Sequence, residues 1–234
     1  MNLVLLFDDD FVAPGRVVLR GRRADHVRGV HRAEAGDELV VGVAGGQIGR
    51  GRIVSVADTV EMEVALDRDP PPPVDVTLVV ALPRPKVLNR VVASATSLGV
   101  KRMFLINAWR VEKSYWRSPR LSEENLREQA ILGLEQARDT MLPAIETRRL
   151  FRPFVEDELP SIIRGTTAIV AHPYAAAPCP RDVEGPLVIA IGPDGGFIEK
   201  EIASFERIGF QPVTMGPRIL RVETAVAALV GSGL

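Results

Sequence analysis

Two apolar segments near the carboxyl end of the sequence constrain the fold most, because each leads through a glycine–proline turn into a helix. They are 189–199 and 215–224. Strands that alternate with helices in this way are typical of a parallel sheet covered on both faces. Ligands bind such sheets at the carboxyl ends of the strands, where both turns fall. We therefore expect the two loops to form two halves of one small-molecule site.

Segments of the same kind recur upstream, so residues 74–234 are predicted to form one α/β domain. Near-continuous apolar strands are predicted at 76–82, 102–108, 144–147, 167–171, 187–191 and 212–215. Helices are predicted at 86–98, 122–138, 155–163, 198–208 and 222–230. Gly99 and Gly209 supply helix stop signals, and Ser122 supplies an N-cap.

Residues 1–69 show a different pattern, in which short strands are separated by glycine turns. Strands are predicted at 3–7, 16–19, 38–43, 47–56 and 61–66, with one short helix at 24–31. This pattern favours a small β-barrel or sandwich. The run Pro70–Pro73 cannot lie inside a helix or a central strand and favours an extended spacer. We place the domain boundary there.

Composition limits where and how the protein works. The apolar share of 46% is ample for the core of a soluble globular protein, and the net charge of −1 means that nucleic acid must be bound through local patches. Cys179 is the only cysteine, which excludes an intrachain disulfide and suits a reducing compartment. Asp8 to Asp10 directly follow the short apolar run 3–7, so we expect no signal peptide, no membrane span and a cytoplasmic location.

Two local basic patches are candidates for RNA contact. Within 16–32, where Asp25 is the only acid, the candidates are Arg20, Arg22, Arg23, Arg28 and Arg32. The second patch is the basic stretch 101–120, which also carries Trp109, Tyr115 and Trp116. Its candidates are Arg110 and Lys113, together with Lys86 upstream of it. Basic residues among aromatics can hold phosphates and stack bases. Two alternatives stay open: a solvated charged face, and aromatics in the core or in a dimer contact.

The two glycine–proline loops favour a ligand gripped by backbone groups. Gly195 and Gly196 permit positive φ, and N–H groups ahead of the next helix can bond a polar edge. The glycine spacing fits neither a dinucleotide fingerprint nor a P-loop. Apolar neighbours predict that Arg218 or Arg221 is partly buried. Such an arginine either faces the substrate or forms an internal ion pair, Arg221–Glu223 or Arg218–Asp194.

Residues 191–197 and 215–225 resemble the paired motif of the RsmE family, methyltransferases that make 3-methyluridine in small-subunit ribosomal RNA. The family pattern has Glu where Asp194 stands and Leu where Met215 stands. Weaker likeness covers the rest of the chain, with departures at 83–86, 94–97 and 136–139. RsmE enzymes belong to the SPOUT class, which uses S-adenosylmethionine.

The resemblance implies an α/β fold: a C-terminal SPOUT domain, residues 74–234, with a parallel sheet and a deep trefoil knot, and an N-terminal PUA-like β-barrel, residues 1–69. It also implies a homodimer. The knot rests on resemblance alone, since unknotted chains are the default. The sequence ends at Leu234 soon after Gly231, which indicates a short final helix or a clipped chain.

The resemblance also implies the site residues. S-adenosylmethionine, with no metal, would be bound by Ile191, Gly192, Pro193, Gly195, Gly196, Met215, Gly216, Ile219 and Leu220. Arg221 would stabilise the charge on a uridine that is losing its N3 proton, with Glu223 orienting it or assisting proton removal and Arg218 as second choice. The partner would be ribosomal RNA or the small subunit. The alternatives are a non-catalytic assembly factor of the same fold and a SPOUT enzyme with another RNA target.

Overall fold

The computed structural model describes residues 2–232, so Leu234 and the expectation about the chain end lie outside the described residues. The chain divides into two compact units. Unit 1 comprises Met1–Pro72 with Ile131–Leu142, and unit 2 comprises Pro73–Ala130 with Pro143–Leu234. The segment Ile131–Leu142, which the sequence analysis places in the second domain, belongs to unit 1. The reason is apolar packing, since Ile131 and Leu134 share a buried cluster with Leu3, Leu5 and Ile48.

Unit 1 is built on a six-stranded sheet. Its strands are β1 Val4–Leu6, β2 Phe11–Ala13, β3 Arg16–Leu19, β4 Glu38–Val43, β5 Ile48–Val56 and β6 Val60–Arg68. The strand order is β1-β4-β5-β6-β3-β2. The pair β1–β4 is parallel and the other pairs are antiparallel. The predicted short strands are confirmed, and β2 is a further strand that the sequence did not predict.

A short helix crosses unit 1 where one is predicted. Helix α1 Gly21–His26 continues into a π-helical turn, Val27–His31. Arg32 ends the turn with a left-handed φ of 51°. Ala24 and Val27 are fully buried in the apolar cluster that also holds Val17 and its neighbours from the sheet.

Unit 2 is built on a seven-stranded sheet in which every pairing is parallel. Its strands are β7 Val74–Ala81, β8 Val100–Ile106, β9 Ala144–Arg148, β10 Thr167–Ala171, β11 Ala177–Pro178, β12 Leu187–Ile191 and β13 Gln211–Thr214. The order is β11-β13-β10-β12-β7-β8-β9. The predicted parallel sheet is confirmed. The order places β10 between β12 and β13, so three adjacent strands end at one edge.

Helices separate the strands of unit 2 as predicted. They are α2 Pro85–Ser97, α3 Glu123–Ala137, α4 Leu159–Ile162, α5 Glu199–Arg207 and α6 Val222–Ser232. The residues of α3 from Ile131 onward belong to unit 1. Ser122 caps α3, because its Oγ accepts the Asn125 N–H at 3.2 Å. Gly99 and Gly209 follow α2 and α5 with positive φ, as helix-terminating glycines do. Between residues 2 and 232, no helix has the length and apolarity that a membrane crossing requires.

Candidate functional site

A cavity of about 370 Å³ opens at the carboxyl ends of β10, β12 and β13. Three loops line it, 172–174, 192–196 and 215–221, one after each strand. The two loops predicted from the sequence therefore do meet in one cavity. Backbone and apolar side chains dominate its walls, as expected of a small-molecule site.

The loop 172–174 is the part of the cavity that the sequence analysis missed. The His172 N–H donates to the Val213 carbonyl at 2.9 Å, which extends the strand pairing into the loop. The His172 ring meets the Tyr174 ring edge-on with centroids 5.8 Å apart, and Tyr174 is 80% exposed. The loop carries no glycine, so only its position after an apolar strand signalled it.

The glycines of the first loop adopt the predicted conformation but not the predicted bonding. Gly195 and Gly196 have φ values of 89° and 75°. The Gly196 N–H donates to the Pro193 carbonyl at 2.7 Å, which closes a tight turn. The Ile198 N–H donates to Glu201 Oε2 at 3.0 Å. The expectation of free N–H donors is therefore wrong at these positions, because the turn and the helix cap use them.

Gly192 permits the close approach that closes this loop. A Cβ at Gly192 would lie 2.7 Å from the Phe197 nitrogen and 3.0 Å from Gly196 Cα. Contacts that short do not occur for real Cβ atoms, so any side chain here would force the loop open. Phe197 is 2% exposed and anchors the far end of the turn.

The second loop offers backbone donors and apolar surface. Gly216 has φ 108°, and its N–H donates to Thr214 Oγ1 at 3.3 Å. The N–H groups of Met215 and Leu220 make no hydrogen bond within residues 2–232. Ile219 is 73% exposed beside the cavity. The loop thus presents unused donors and an apolar side chain that a ligand could cover.

Arg218 and Arg221 line the cavity and are both exposed, so the expectation of a partly buried arginine is wrong. They lie in the irregular stretch between β13 and α6, where both residues are open to solvent. Neither has an acidic partner in the part of the chain that the structure describes. Asp194 pairs instead with Arg84 at 2.9 Å. The two anticipated ion pairs do not form.

Glu223 lies in the first turn of α6 but outside the cavity lining. Its Oε1 lies 3.5 Å from the guanidinium of Arg90 in α2. The side chain of Glu223 is 18% exposed and that of Arg90 is 63% exposed. The structure therefore gives this carboxylate a partner on α2 and does not bring it to Arg221. Its catalytic role stays a prediction.

Three of the five amino-terminal arginines predicted to bind RNA have internal partners. Arg22 makes a two-pronged contact with the buried carboxylate of Glu135, at 2.9 and 3.2 Å. Arg23 donates to Asp10 Oδ1 at 2.9 Å and to the Leu5 carbonyl at 2.7 Å.

Arg28, the third, contacts Asp25 and donates to the Ala57 carbonyl at 3.1 Å. Arg20 and Arg32 are exposed, and Arg20 makes only a weak contact to the Val18 carbonyl at 3.4 Å. Arg20 and Arg32 are thus the members of this patch that are free to meet a phosphate.

The candidates of the second patch are exposed but differ in surroundings. Lys86 lies in the first turn of α2, and Lys113 lies in the loop after β8. Arg110 donates to the carbonyls of Gly195 and Gly196, so it supports the first loop.

The pKa of Tyr115 is raised, first by burial and then by its hydrogen bond to Glu112, which keeps the phenol protonated.

Comparison with known proteins identifies the family. Residues 70–232 match the family model described as an RNA methyltransferase domain. The ribosomal RNA small subunit methyltransferase E of Treponema pallidum is 32% identical to this chain over 97% of the chain and 88% of its own length. The chain belongs to the ribosomal RNA small subunit methyltransferase E family. The Mycobacterium bovis member is 26% identical over 99% of this chain and 91% of its own length.

Solved structures share the fold of this family member. The Neisseria gonorrhoeae ribosomal RNA small subunit methyltransferase E, solved bound to S-adenosylmethionine, superposes with a TM-score of 0.74 at 22% identity, covering 98% of this chain and 95% of that one. A Legionella pneumophila methyltransferase in complex with the same cofactor gives a TM-score of 0.73 at 21% identity, covering 99% and 96%.

Proposed function

We propose that this member of the methyltransferase E family transfers the methyl group of S-adenosylmethionine to N3 of a uridine in small-subunit (16S) ribosomal RNA, forming 3-methyluridine. The observation that carries the proposal is the cavity in which both glycine–proline loops meet Arg218 and Arg221, which have no acidic partner among residues 2–232. Relatives with the same name, and related structures that hold S-adenosylmethionine, support the choice of substrate and cofactor.

The residues around the cavity fit S-adenosylmethionine. Apolar side chains such as Ile191 and Leu220 offer packing surface for the adenine, and the free N–H groups of Met215 and Leu220 can bond its polar edge. Gly192 and Gly196 line the cavity and carry no side chain, so a ligand can lie close to their backbone. When bound, the cofactor supplies a sulfonium-activated methyl group, so the chemistry requires no metal.

Arg221 acts on the base. Methylation at N3 would require the uridine to lose its N3 proton, which leaves negative charge spread over O2 and O4 until N3 takes up the methyl group. A guanidinium that has no internal acid to neutralise it stabilises that charge. Arg218 is the second choice, since it lines the same cavity. The uridine must be unpaired or turned out for N3 to be reached.

Of the two roles predicted for Glu223, we keep the orientation of Arg221 and not the removal of the proton. Its contact with Arg90 tethers α6 to α2, so we assign it to holding the start of α6, and with it the backbone of Arg221. The Arg221 carbonyl accepts the Ala225 N–H at 2.8 Å, which is the first turn of that helix. The N3 proton passes to solvent, because the Arg221 side of the cavity is exposed.

The remaining features are proposed from the family likeness. We propose that residues 1–69, the larger part of unit 1, form a PUA-like RNA-binding module, and that unit 2 is a SPOUT domain with a deep trefoil knot. The protein would act as a cytoplasmic homodimer on ribosomal RNA or on the small subunit. Light scattering after gel filtration measures the oligomeric state directly, and a monomeric mass would contradict the dimer.

Two experiments separate this function from its alternatives. Titration calorimetry with S-adenosylmethionine tests for the cofactor, and the absence of binding would favour a non-catalytic RNA-binding or assembly factor. Incubation of unmodified 16S ribosomal RNA or small subunits with labelled cofactor, followed by nucleoside analysis, identifies the product. The proposal predicts 3-methyluridine. A 2′-O-methylated nucleoside would indicate a SPOUT enzyme with another target.

A further inference from the structure

A second cavity, of about 1050 Å³, lies in unit 2 and takes no part in the site described above. It is lined by residues from 107–117, 149–156 and 198–207, which we call the basic groove. These segments follow β8, β9 and β12, so the groove opens at the same sheet edge as the candidate cofactor cavity. Arg110 donates hydrogen bonds to the carbonyls of Gly195 and Gly196 and so joins one wall of the groove to the loop 192–196, which we call the cofactor loop.

The basic groove carries an excess of positive charge. Its basic side chains are Lys113, Arg117, Arg149, Arg152, Lys200 and Arg207. Its acidic side chains, Glu156 and Glu201, are already engaged.

Glu156 pairs with Arg152 at 3.1 Å and with Arg207 at 3.8 Å. Glu201 is 7% exposed and accepts backbone N–H groups through both oxygens. Lys113, Arg117 and Lys200 are exposed and have no carboxylate partner among residues 2–232, so their charge is available to an anion.

An exposed tryptophan stands in the same groove. The Trp109 side chain is 79% exposed, although its own backbone is fixed by the N–H that donates to Glu201 Oε1 at 2.7 Å. Trp116 is held by the hydrogen bond from its Nε1 to Asn107 Oδ1 at 3.0 Å. The guanidinium of Arg149 lies 5.5 Å from the Trp116 ring centroid. An exposed indole on a fixed backbone, beside exposed cations, is the arrangement on which proteins stack unpaired bases.

We propose that the basic groove binds the single-stranded RNA that flanks the target uridine, with Trp109 stacking on a base and Lys113, Arg117 and Lys200 contacting phosphates. This inference rests on the proposed function, since it takes the adjoining cavity as the methyl-transfer site. The charge favours a polyanion over another protein surface. A strand held here would approach the target base from the Arg110 side of the cofactor loop.

The first test measures binding of a fluorescent single-stranded oligouridine of about eight nucleotides, a typical site size, by fluorescence anisotropy. Trp109→Ala should weaken binding about tenfold, as expected from the loss of one base–aromatic stack. Trp109→Phe, which keeps an aromatic face, should recover most of the affinity. Equal affinity of all three proteins would overturn the proposal.

The second test is independent of the tryptophan. Arg117→Gln with Lys200→Gln should flatten the slope of log Kd against log salt by about 1.4, which corresponds to two lost contacts with a single strand. The matched control changes two exposed arginines of unit 2 outside the groove, Arg164→Gln with Arg181→Gln, and should leave the slope unchanged. Equal slopes for both double variants would overturn the phosphate assignment.

Calorimetry and light scattering separate the other outcomes. The groove variants should bind S-adenosylmethionine like the wild type, because none of these residues lines the cofactor cavity. If Trp109→Ala changes the oligomeric state and leaves oligouridine binding intact, the groove is a contact between copies and the proposal is wrong. If the wild type binds oligouridine through the groove but neither binds the cofactor nor methylates RNA, the proposed function fails while RNA binding by the groove stands.

Discussion

At the residue scale, the decisive property of Arg221 is that it lines the cavity without an acidic partner in the described chain. A guanidinium already paired with a carboxylate would add little stabilisation to an anionic transition state, whereas the full positive charge of an unpaired guanidinium can stabilise it.

We therefore expect Arg221→Ala to lower kcat by about 100-fold or more, the usual effect of losing one such donor. Calorimetry should show unchanged cofactor affinity, and Arg218→Ala should cost less activity. Retained methylation by Arg221→Ala would contradict the assignment, and lost cofactor binding would make Arg221 a scaffold residue.

Two departures from the family pattern meet in one contact. Asp194 stands where the family has Glu, and Arg84 belongs to the segment that replaces the common Pro-Lys-Gly. The two side chains pair at 2.9 Å, with 66% and 43% of their areas exposed. An exposed pair of this kind contributes at most about 1 kcal/mol. Its consequence is local: it ties the loop before α2 to the first motif loop.

The pair between Arg23 and Asp10 differs because it is largely buried, with side-chain exposures of 16% and 6%. Asp10→Asn would leave the Arg23 charge uncompensated, which costs about 3 kcal/mol. Native-state hydrogen exchange of the β1 amides should report that loss in unit 1. The control Glu61→Gln breaks the exposed pair with Arg16 and should cost less than about 1 kcal/mol. Equal losses would contradict the assignment of Arg23 to the fold.

At the scale of elements, the first motif loop depends on the missing side chain of Gly192. Gly192→Ala places a Cβ against the backbone of Phe197 and Gly196, so the turn must open. We expect weaker binding of S-adenosylmethionine by calorimetry, by about tenfold or more for a loss of at least 1.4 kcal/mol. Gly29→Ala is the matched control, since a Cβ there meets nothing within 4 Å. Undiminished cofactor affinity of Gly192→Ala would contradict the account of this loop.

The elements that the sequence predicts best are those whose pattern is set by burial alone. Strand β12 and the second half of β7, from Leu78, are buried on both faces and therefore appear as unbroken apolar runs. Strands β2 and β11 have three and two residues, too few to show a period, and were missed.

In the candidate site, too, only the parts with a clear local sequence signal were predicted. The two loops with glycine–proline turns were predicted, and the loop 172–174, which has Pro173 but no glycine, was missed. The partner of Arg22 could not be predicted, since Glu135 lies 113 positions away in sequence.

At the scale of the whole molecule, a net charge of −1 conceals local surfaces suited to RNA. In unit 1, Arg22, Arg23 and Arg28 form internal pairs, whereas Arg20 and Arg32 have no carboxylate partner in the described part of the chain.

Arg20→Gln with Arg32→Gln should weaken binding of small-subunit ribosomal RNA and lower the salt slope by about one per lost phosphate contact. The control is Arg52→Gln with Arg68→Gln, which changes two other exposed arginines of the same unit. If both double variants bind alike, the patch is a solvated face.

The most direct test of the central claim is mass-spectrometric nucleoside analysis of small-subunit ribosomal RNA from a strain that lacks the gene. The account predicts that 3-methyluridine disappears from this RNA, returns when the wild-type chain is supplied, and stays absent when the Arg221→Ala chain is supplied. Unchanged 3-methyluridine in the deletion strain, or loss of a different modification, would contradict it.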